Sequence, residues 1–255
     1  MPSYLVTGVS SGIGLELCKQ LANRGDKVYG TCRKKTSSLT NEDNVSVVAG
    51  DVTVLEDIDV THDDVGEKLI KALDGVTLDV IIHNAGSLNG TRNLNSMGEL
   101  FGDQSLANVS MERMKAAFEV NTLGPLRVQQ ALTPLMKSPG GKVAIVSTGF
   151  ASISDNSSGG VYAYRASKAA VNMVGKSMAC DYKKDDKGIA VVLIAPGMVA
   201  TEFGPGKEAM AKMGASSVEQ ASSGIIKCID DLTMETTGKF WGVETKGGAL
   251  KENAY

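Results

Sequence analysis

Tyr4-Leu5-Val6-Thr7-Gly8-Val9-Ser10-Ser11-Gly12-Ile13-Gly14 reads as a short apolar strand, a glycine-rich turn and the opening of a helix. Glycines spaced G-x-x-x-G-x-G let the backbone turn tightly and approach a pyrophosphate with no Cβ in the way. The helix start that follows offers unpaired N–H groups and the positive end of a dipole, which favour an anion. Ile13, Leu17 and Leu21 recur at i, i+4 and i+8, the face that packs on a sheet. Glycine triplets also mark ordinary turns. This one lies between a first strand and an amphipathic helix, which points to a dinucleotide site.

Outward from this stretch, strands and helices alternate. Lys27–Cys32 reads as a second strand, Val45–Ala49 as a third that ends at Gly50-Asp51-Val52, and Leu78–Ile82 as a continuous apolar strand. Lys142–Val146, Ile189–Ile194 and Gly238–Val243 complete the set. Between them, helical periodicity is read over 57–73, from Ser110 to about Met136 with a bend at Gly124-Pro125, over 161–182, and from Ser217 onward. Residues 87–110 are polar and poorly periodic, and 202–216 look loosely structured; both are expected to be substrate-side loops. The alternation predicts an α/β Rossmann fold, one doubly wound parallel sheet spanning 1–255, with its ligand at the C-terminal strand ends.

Composition narrows the class. Among 255 residues, 42% are hydrophobic and 22% charged, and the net charge of −3 gives no general attraction to nucleic acid or anionic membrane. Cys18, Cys32, Cys180 and Cys228 show no metal-ligand or disulfide spacing. No apolar run approaches the ~20 residues of a membrane span, and no leader precedes the first strand, so a cytoplasmic protein with no metal is expected.

The informative polar residues gather at strand ends. Tyr164 and Lys168 stand one helical turn apart on one face, where an ammonium favours the phenolate and lowers a tyrosine from ~10 toward operating pH. That spacing makes Tyr164 a usable general acid. His83 is expected to pack at a strand end rather than to ligate or catalyse. Met198, Met210 and Met213 could line an apolar pocket or form a lid on the core.

Taken together and in this order, Thr7-Gly8-x-x-x-Gly12-Ile13-Gly14, Asn84-Ala85-Gly86, Asn121, Tyr164-x-x-x-Lys168 and Pro196-Gly197-x-x-x-Thr201 resemble the short-chain dehydrogenase/reductase family. Tyr164–Lys168 and the closing strand are similar to its C-factor/sniffer-like carbonyl reductase branch. The resemblance implies a seven-stranded sheet, a nicotinamide cofactor and hydride transfer to or from a carbonyl carbon. By it, Tyr164 protonates the alkoxide, Lys168 tunes Tyr164 and bonds the nicotinamide ribose, and Asn121 holds a relay water. Asp51 and Val52 would flank the adenine, Asn84, Ala85 and Gly86 the adenosine ribose side, and Val199 and Thr201 the carboxamide.

The chain departs from the pattern where a hydroxyl should polarise the substrate oxygen. That register falls on Thr148, with Ser147 one residue earlier, and the loop serines Ser152 and Ser154 stay open. The interval to Tyr164 is also a few residues longer than the family's common spacing. At the end of the second strand, Arg33-Lys34-Lys35 replaces an acidic residue, which selects NADP(H) over NAD(H). The expected activity is NADPH-dependent reduction of an aldehyde, ketone or quinone. The alternative is an NADP(H)-binding regulatory protein of C-factor type with little turnover. The helices at 111–136 and 161–182 leave room for a homodimer or homotetramer.

Overall fold

The computed structural model describes residues 1–34, 51–88, 97–244 and 249–255. Among these, the strands are β1 (Ser3–Thr7), β2 (Lys27–Thr31), β3 (Val52–Leu55), β4 (Val80–His83), β5 (Lys142–Val146), β6 (Ala190–Ala195), β7 (Lys239–Val243) and β8 (Leu250–Glu252). They form one sheet in the order β3-β2-β1-β4-β5-β6-β7-β8. Every pairing is parallel except β7 with β8. The expected seven parallel strands are therefore joined by an eighth, antiparallel one. It is only three residues long, too short for a periodic signal.

β3 also lies elsewhere than expected. The strand pairing β2 is Val52–Leu55, with Val28 opposite Val52, while the anticipated Val45–Ala49 lies outside the described residues.

The helices are α1 (Gly12–Asn23), α2 (Val65–Ala72), α3 (Met97–Asp103), α4 (Met111–Phe118), α5 (Gly124–Leu132), α6 (Tyr162–Lys184), α7 (Lys207–Lys212) and α8 (Val218–Asp230). They cover both faces of the sheet. On one face, Leu17, Cys18 and Leu21 of α1 meet Ile225 and Ile229 of α8 over Val6, Val28, Ile82 and Val192. On the other, Leu69 of α2, Val128 and Leu132 of α5 and Val171 of α6 pack on Leu5, Ile81, Val143 and Val191. Alternate residues of each strand thus feed opposite cores, and each fully buried aliphatic contributes roughly 1.5–3 kcal/mol. Ser217 starts α8 with a reciprocal capping box: its Oγ accepts from Gln220 N–H at 3.2 Å, and Gln220 Oε1 accepts from its amide at 3.3 Å.

Among their described residues, the two segments expected as substrate-side loops each contain a short helix, α3 and α7. The expected long helix from 110 is two helices separated by a π-helical turn, Glu119–Leu123. At the far edge, Tyr255 Oη donates to Gly238 O at 2.6 Å, and its ring stacks on Phe240. Its carbonyl accepts from the Ser154 amide and hydroxyl at 3.2 and 2.7 Å. No helix among the described residues is long and apolar enough to cross a membrane.

Candidate active site

The strand order reverses between β1 and β4, and the two ends part there to leave a crevice. A cleft of about 750 Å³ occupies it. Its wall includes Gly8, Ser10–Gly14, Arg33, Asn84–Gly86, Ser147, Thr148, Tyr164, Lys168, Pro196, Gly197, Val199 and Thr201, so most of the expected site residues meet in one place.

At the first βα turn the glycines are required by contact. Gly8 has φ 75° and faces the Ala85 backbone, where a Cβ would lie 2.9 Å from Ala85 Cα. A Cβ on Gly14 would strike the Gly8 carbonyl and lie 2.5 Å from Asn84 Nδ2. Asn84 Nδ2 donates to the carbonyls of Thr7 and Gly8 at 3.0 and 3.1 Å. Thr7 Oγ1 in turn accepts from the Asn84 and Ala85 amides, so the ends of β1 and β4 are sewn together. Ser11 caps α1 from extended backbone with no side-chain bond to the helix, and the first turn holds no acid. The opening amides therefore face the cleft with no protein acceptor from Ser11. This cradle fits a diphosphate.

Asp51 and Val52, expected to flank an adenine, are not part of the cleft. They lie at the start of β3, the opposite end from the cleft; Asp51 O accepts from Val28 N–H and its carboxylate stands 4.0 Å from Lys27 Nζ. The cleft is lined instead by Ile58, Asp59 and Val60, which follow β3. Asp59 accepts from Thr61 N–H at 3.0 Å and Thr61 Oγ1 at 2.8 Å. Burial pushes its carboxyl up, but those bonds and the nearby Arg33 charge hold it below the usual range. Arg33 is exposed at the cleft wall, whereas Lys34 is exposed and outside it.

At the inner end, the Tyr164 and Thr148 hydroxyls lie beside each other, and Thr148 favours the phenolate. Ser147, one residue earlier in extended chain, points the other way and donates to Asn172 Oδ1 at 2.6 Å in the core. Ser152 and Ser154 face each other and Tyr255, away from the cleft wall. Thr148 is therefore the hydroxyl beside the phenol.

Tyr164 does not have the lowered pKa expected from its lysine. Burial among Val161, Leu88, Phe101 and Phe150 pushes it up to about 12, against the opposing effect of Thr148. Lys168 is itself buried, which brings it down to about 8, and its Nζ donates to Val146 O at 2.8 Å. Its Nζ stands 6.0 Å from the Tyr164 ring centre. Desolvation of both groups outweighs their proximity, and Tyr164 stays a protonated donor throughout the ordinary pH range.

Asn121 sits in the π-helical turn, a common mark of functional sites, fully buried. Its Oδ1 accepts from Ser87 N–H at 2.8 Å, and its Nδ2 donates to Ser87 O at 2.7 Å and Ser167 Oγ at 3.0 Å. The side chain thus pins the strand leaving Gly86 against α6, while Val120 rather than Asn121 reaches the cleft. Leu88, Phe150, Met198, Phe203, Pro205 and Met210 add an apolar outer wall, with the Phe203 ring 6.0 Å from that of Tyr164. Met213 is half-exposed and outside it.

His83 lies behind the site at the end of β4. Its Nε2 shares a 2.9 Å bond with Gln129 Oε1, and Nδ1 has no partner. Burial lowers its pKa from 6.5 to about 4. The unfolded chain therefore takes up this proton first as pH falls through ~6.5, and folding loses up to about 3 kcal/mol by pH ~4, below which the loss levels off. Urea melts at several pH values should show this decline, and His83→Asn should flatten it; an equally steep wild-type-like slope in the variant would assign the acid sensitivity elsewhere.

Comparison with known proteins agrees with this arrangement. A family model described as short chain dehydrogenase matches residues 3–212. A Rhodococcus sp. (strain AD45) protein, 1-hydroxy-2-glutathionyl-2-methyl-3-butene dehydrogenase, is 38% identical over 242 residues, covering 94% of this chain and 96% of that one. A putative short-chain dehydrogenase/reductase from Burkholderia multivorans, solved with bound NADP, aligns at a TM-score of 0.75 and 26% identity over 100% of this chain and 99% of that one. The carbonyl reductase Sniffer of D. melanogaster aligns at 0.75 and 26%, covering 95% and 96%. With a diphosphate cradle at the first βα turn, a phenol and an ammonium one helical turn apart, and a family match spanning both, this chain belongs to the short-chain dehydrogenase family.

Proposed function

We propose that the chain is an NADPH-dependent carbonyl reductase, converting an apolar aldehyde, ketone or quinone to the alcohol. The observation that carries this reading is the Thr148–Tyr164 hydroxyl pair, with Lys168 beside it, at the inner end of a cleft whose opposite arm is the open start of α1. The cofactor would be held by Ser10–Gly14 at the diphosphate, Asp59 and Val60 at the adenine, Arg33 at the 2′-phosphate, Asn84–Gly86 along the adenosine ribose side, Lys168 at the nicotinamide ribose, and Val199 and Thr201 at the carboxamide. Bound there, a nicotinamide supplies the hydride.

Thr148 donates a hydrogen bond to the substrate oxygen, and Tyr164 delivers its proton to that oxygen as charge develops. A phenol held near 12 parts with its proton only to a stronger base, which a developing alkoxide is. Lys168, its Nζ 6.0 Å from the Tyr164 ring centre, is the neighbouring ammonium from which that proton is replaced. The apolar wall from Leu88 to Met210 selects an uncharged substrate and excludes water. Support comes from the NADP carried by the Burkholderia structure and from the carbonyl reductase Sniffer. The Rhodococcus relative is named for the reverse sense, which the same groups serve. The exposed Met173 on α6 and Leu123 at the π-helical turn suit a homodimer.

The test is NADPH consumption against a panel of aldehydes, ketones and quinones. Tight NADPH binding with no turnover across the panel would move the reading to a cofactor-sensing regulatory protein. In the same titrations, Arg33→Ala should weaken NADPH by ~10-fold or more, the size of one lost charge-assisted contact, and change NADH by less than ~2-fold. Equal weakening of both would remove the case for phosphate recognition.

A further inference from the structure

Helix α6 carries Tyr164 and Lys168, yet the chain that enters it supplies no cap. Val161, the residue before it, has no side-chain acceptor and stands at φ 51°, after Gly159 and Gly160 at 59° and 64°. A β-branched residue in the left-handed region is strained and persists only where neighbours impose it. The opening amides of such a helix need acceptors from elsewhere.

Gln104 provides them. It follows α3, is 1% exposed, and presents Oε1 to Ala163 N–H at 2.9 Å and to Tyr164 N–H at 3.3 Å. Its backbone carbonyl accepts from Tyr162 N–H at 3.5 Å. Its Nε2 donates to Leu88 O at 3.1 Å. One residue therefore holds the opening amides of α6, including that of Tyr164, and at the same time grips the cleft wall at Leu88. Leu88 packs with Phe101 and Phe150 on Val161 and Tyr164. A serine or aspartate cap can accept but has no N–H to give to Leu88; an amide side chain does both.

We infer that Gln104 is a positioning residue for the proton donor: it fixes the first turn of α6 so that the Tyr164 hydroxyl meets Thr148, and it locks that seat to the substrate-side wall. The inference rests on the proposed role of Tyr164, and its test separates the two. Gln104→Leu removes donor and acceptor at similar size. Gln104→Glu keeps an acceptor for the α6 amides but sets a carboxylate oxygen, with no N–H to give, against the Leu88 carbonyl.

With NADPH and phenanthrenequinone or nitrobenzaldehyde as probes, Gln104→Leu should lower kcat by ~10-fold or more, with KM and the NADPH Kd within ~2-fold, since a sub-ångström shift of a reacting group falls on the chemical step. Gln104→Glu should fall between Gln104→Leu and wild type in kcat, since it keeps the acceptor for the α6 amides and loses the grip on Leu88. By hydrogen exchange, the Ala163 and Tyr164 amides should open ~10-fold faster in Gln104→Leu than in wild type, with mid-helix amides unchanged. An unchanged kcat in Gln104→Leu overturns the inference, as does a loss that tracks NADPH affinity and thermal stability together. If wild type reduces no probe, the functional reading falls. Exchange then decides alone: lost protection at Ala163 and Tyr164 supports the cap, and unchanged protection overturns it.

Discussion

Tyr164→Phe is expected to lower carbonyl turnover by at least ~100-fold, the size associated with removing a positioned acid, while NADPH affinity stays within a few-fold. The ring keeps its packing against Val161, Leu88 and Phe203, so the cleft retains its shape. What disappears is the phenolic proton beside the Thr148 hydroxyl at the inner end of the cleft, and with it the neutralisation of the developing alkoxide. Single-turnover NADPH oxidation and a cofactor titration on the same preparation check this. Turnover within ~3-fold of wild type would assign the proton to another group.

The second large effect is expected at the first βα turn. In Gly14→Ala the new methyl meets the Gly8 carbonyl and the Asn84 amide nitrogen, both backbone-anchored by the bonds that join β1 to β4. Neither is the free end of a flexible side chain, so the turn must open. NADPH affinity should fall by ~100-fold or more, and stability by about 1–3 kcal/mol, as for other overpacked contacts. Gly102→Ala is the control: a Cβ there meets nothing within 4 Å and its φ is ordinary, so binding and melting should both be unchanged. NADPH titration and thermal melts read both variants. A Gly14→Ala protein that binds NADPH like wild type would show that the diphosphate is not held at this turn.

The fold was legible because it is written in local spacing. Glycines at Gly8, Gly12 and Gly14, apolar runs such as Leu78–Ile82, and the one-turn separation of Tyr164 and Lys168 are each visible within a dozen residues. The misread features depend on contacts between distant segments. Asp51-Val52 and Asp59-Val60 are both Asp-Val pairs, and only the register of Val28 with Val52 reveals that the second one reaches the cleft. Spacing brought Lys168 to Tyr164 but could not weigh the desolvation that raises the phenol. The π-helical turn at Asn121 preserves apolar recurrence across 110–136 and shows only in the hydrogen-bond ladder. Ser147 and Thr148 are chemically similar; the strand's alternation, fixed by pairing with β6, turns one inward and the other to the phenol.

The fastening of Tyr255 has a practical corollary. Ser154 belongs to the stretch that leads into α6, and both its amide and its hydroxyl are satisfied by the carbonyl of Tyr255. That anchor is seated in turn on β7 through Gly238 and Phe240. Replacing Tyr255 would therefore loosen the stretch that leads into α6, a disturbance that reaches the helix of Tyr164 from a residue outside the cleft wall.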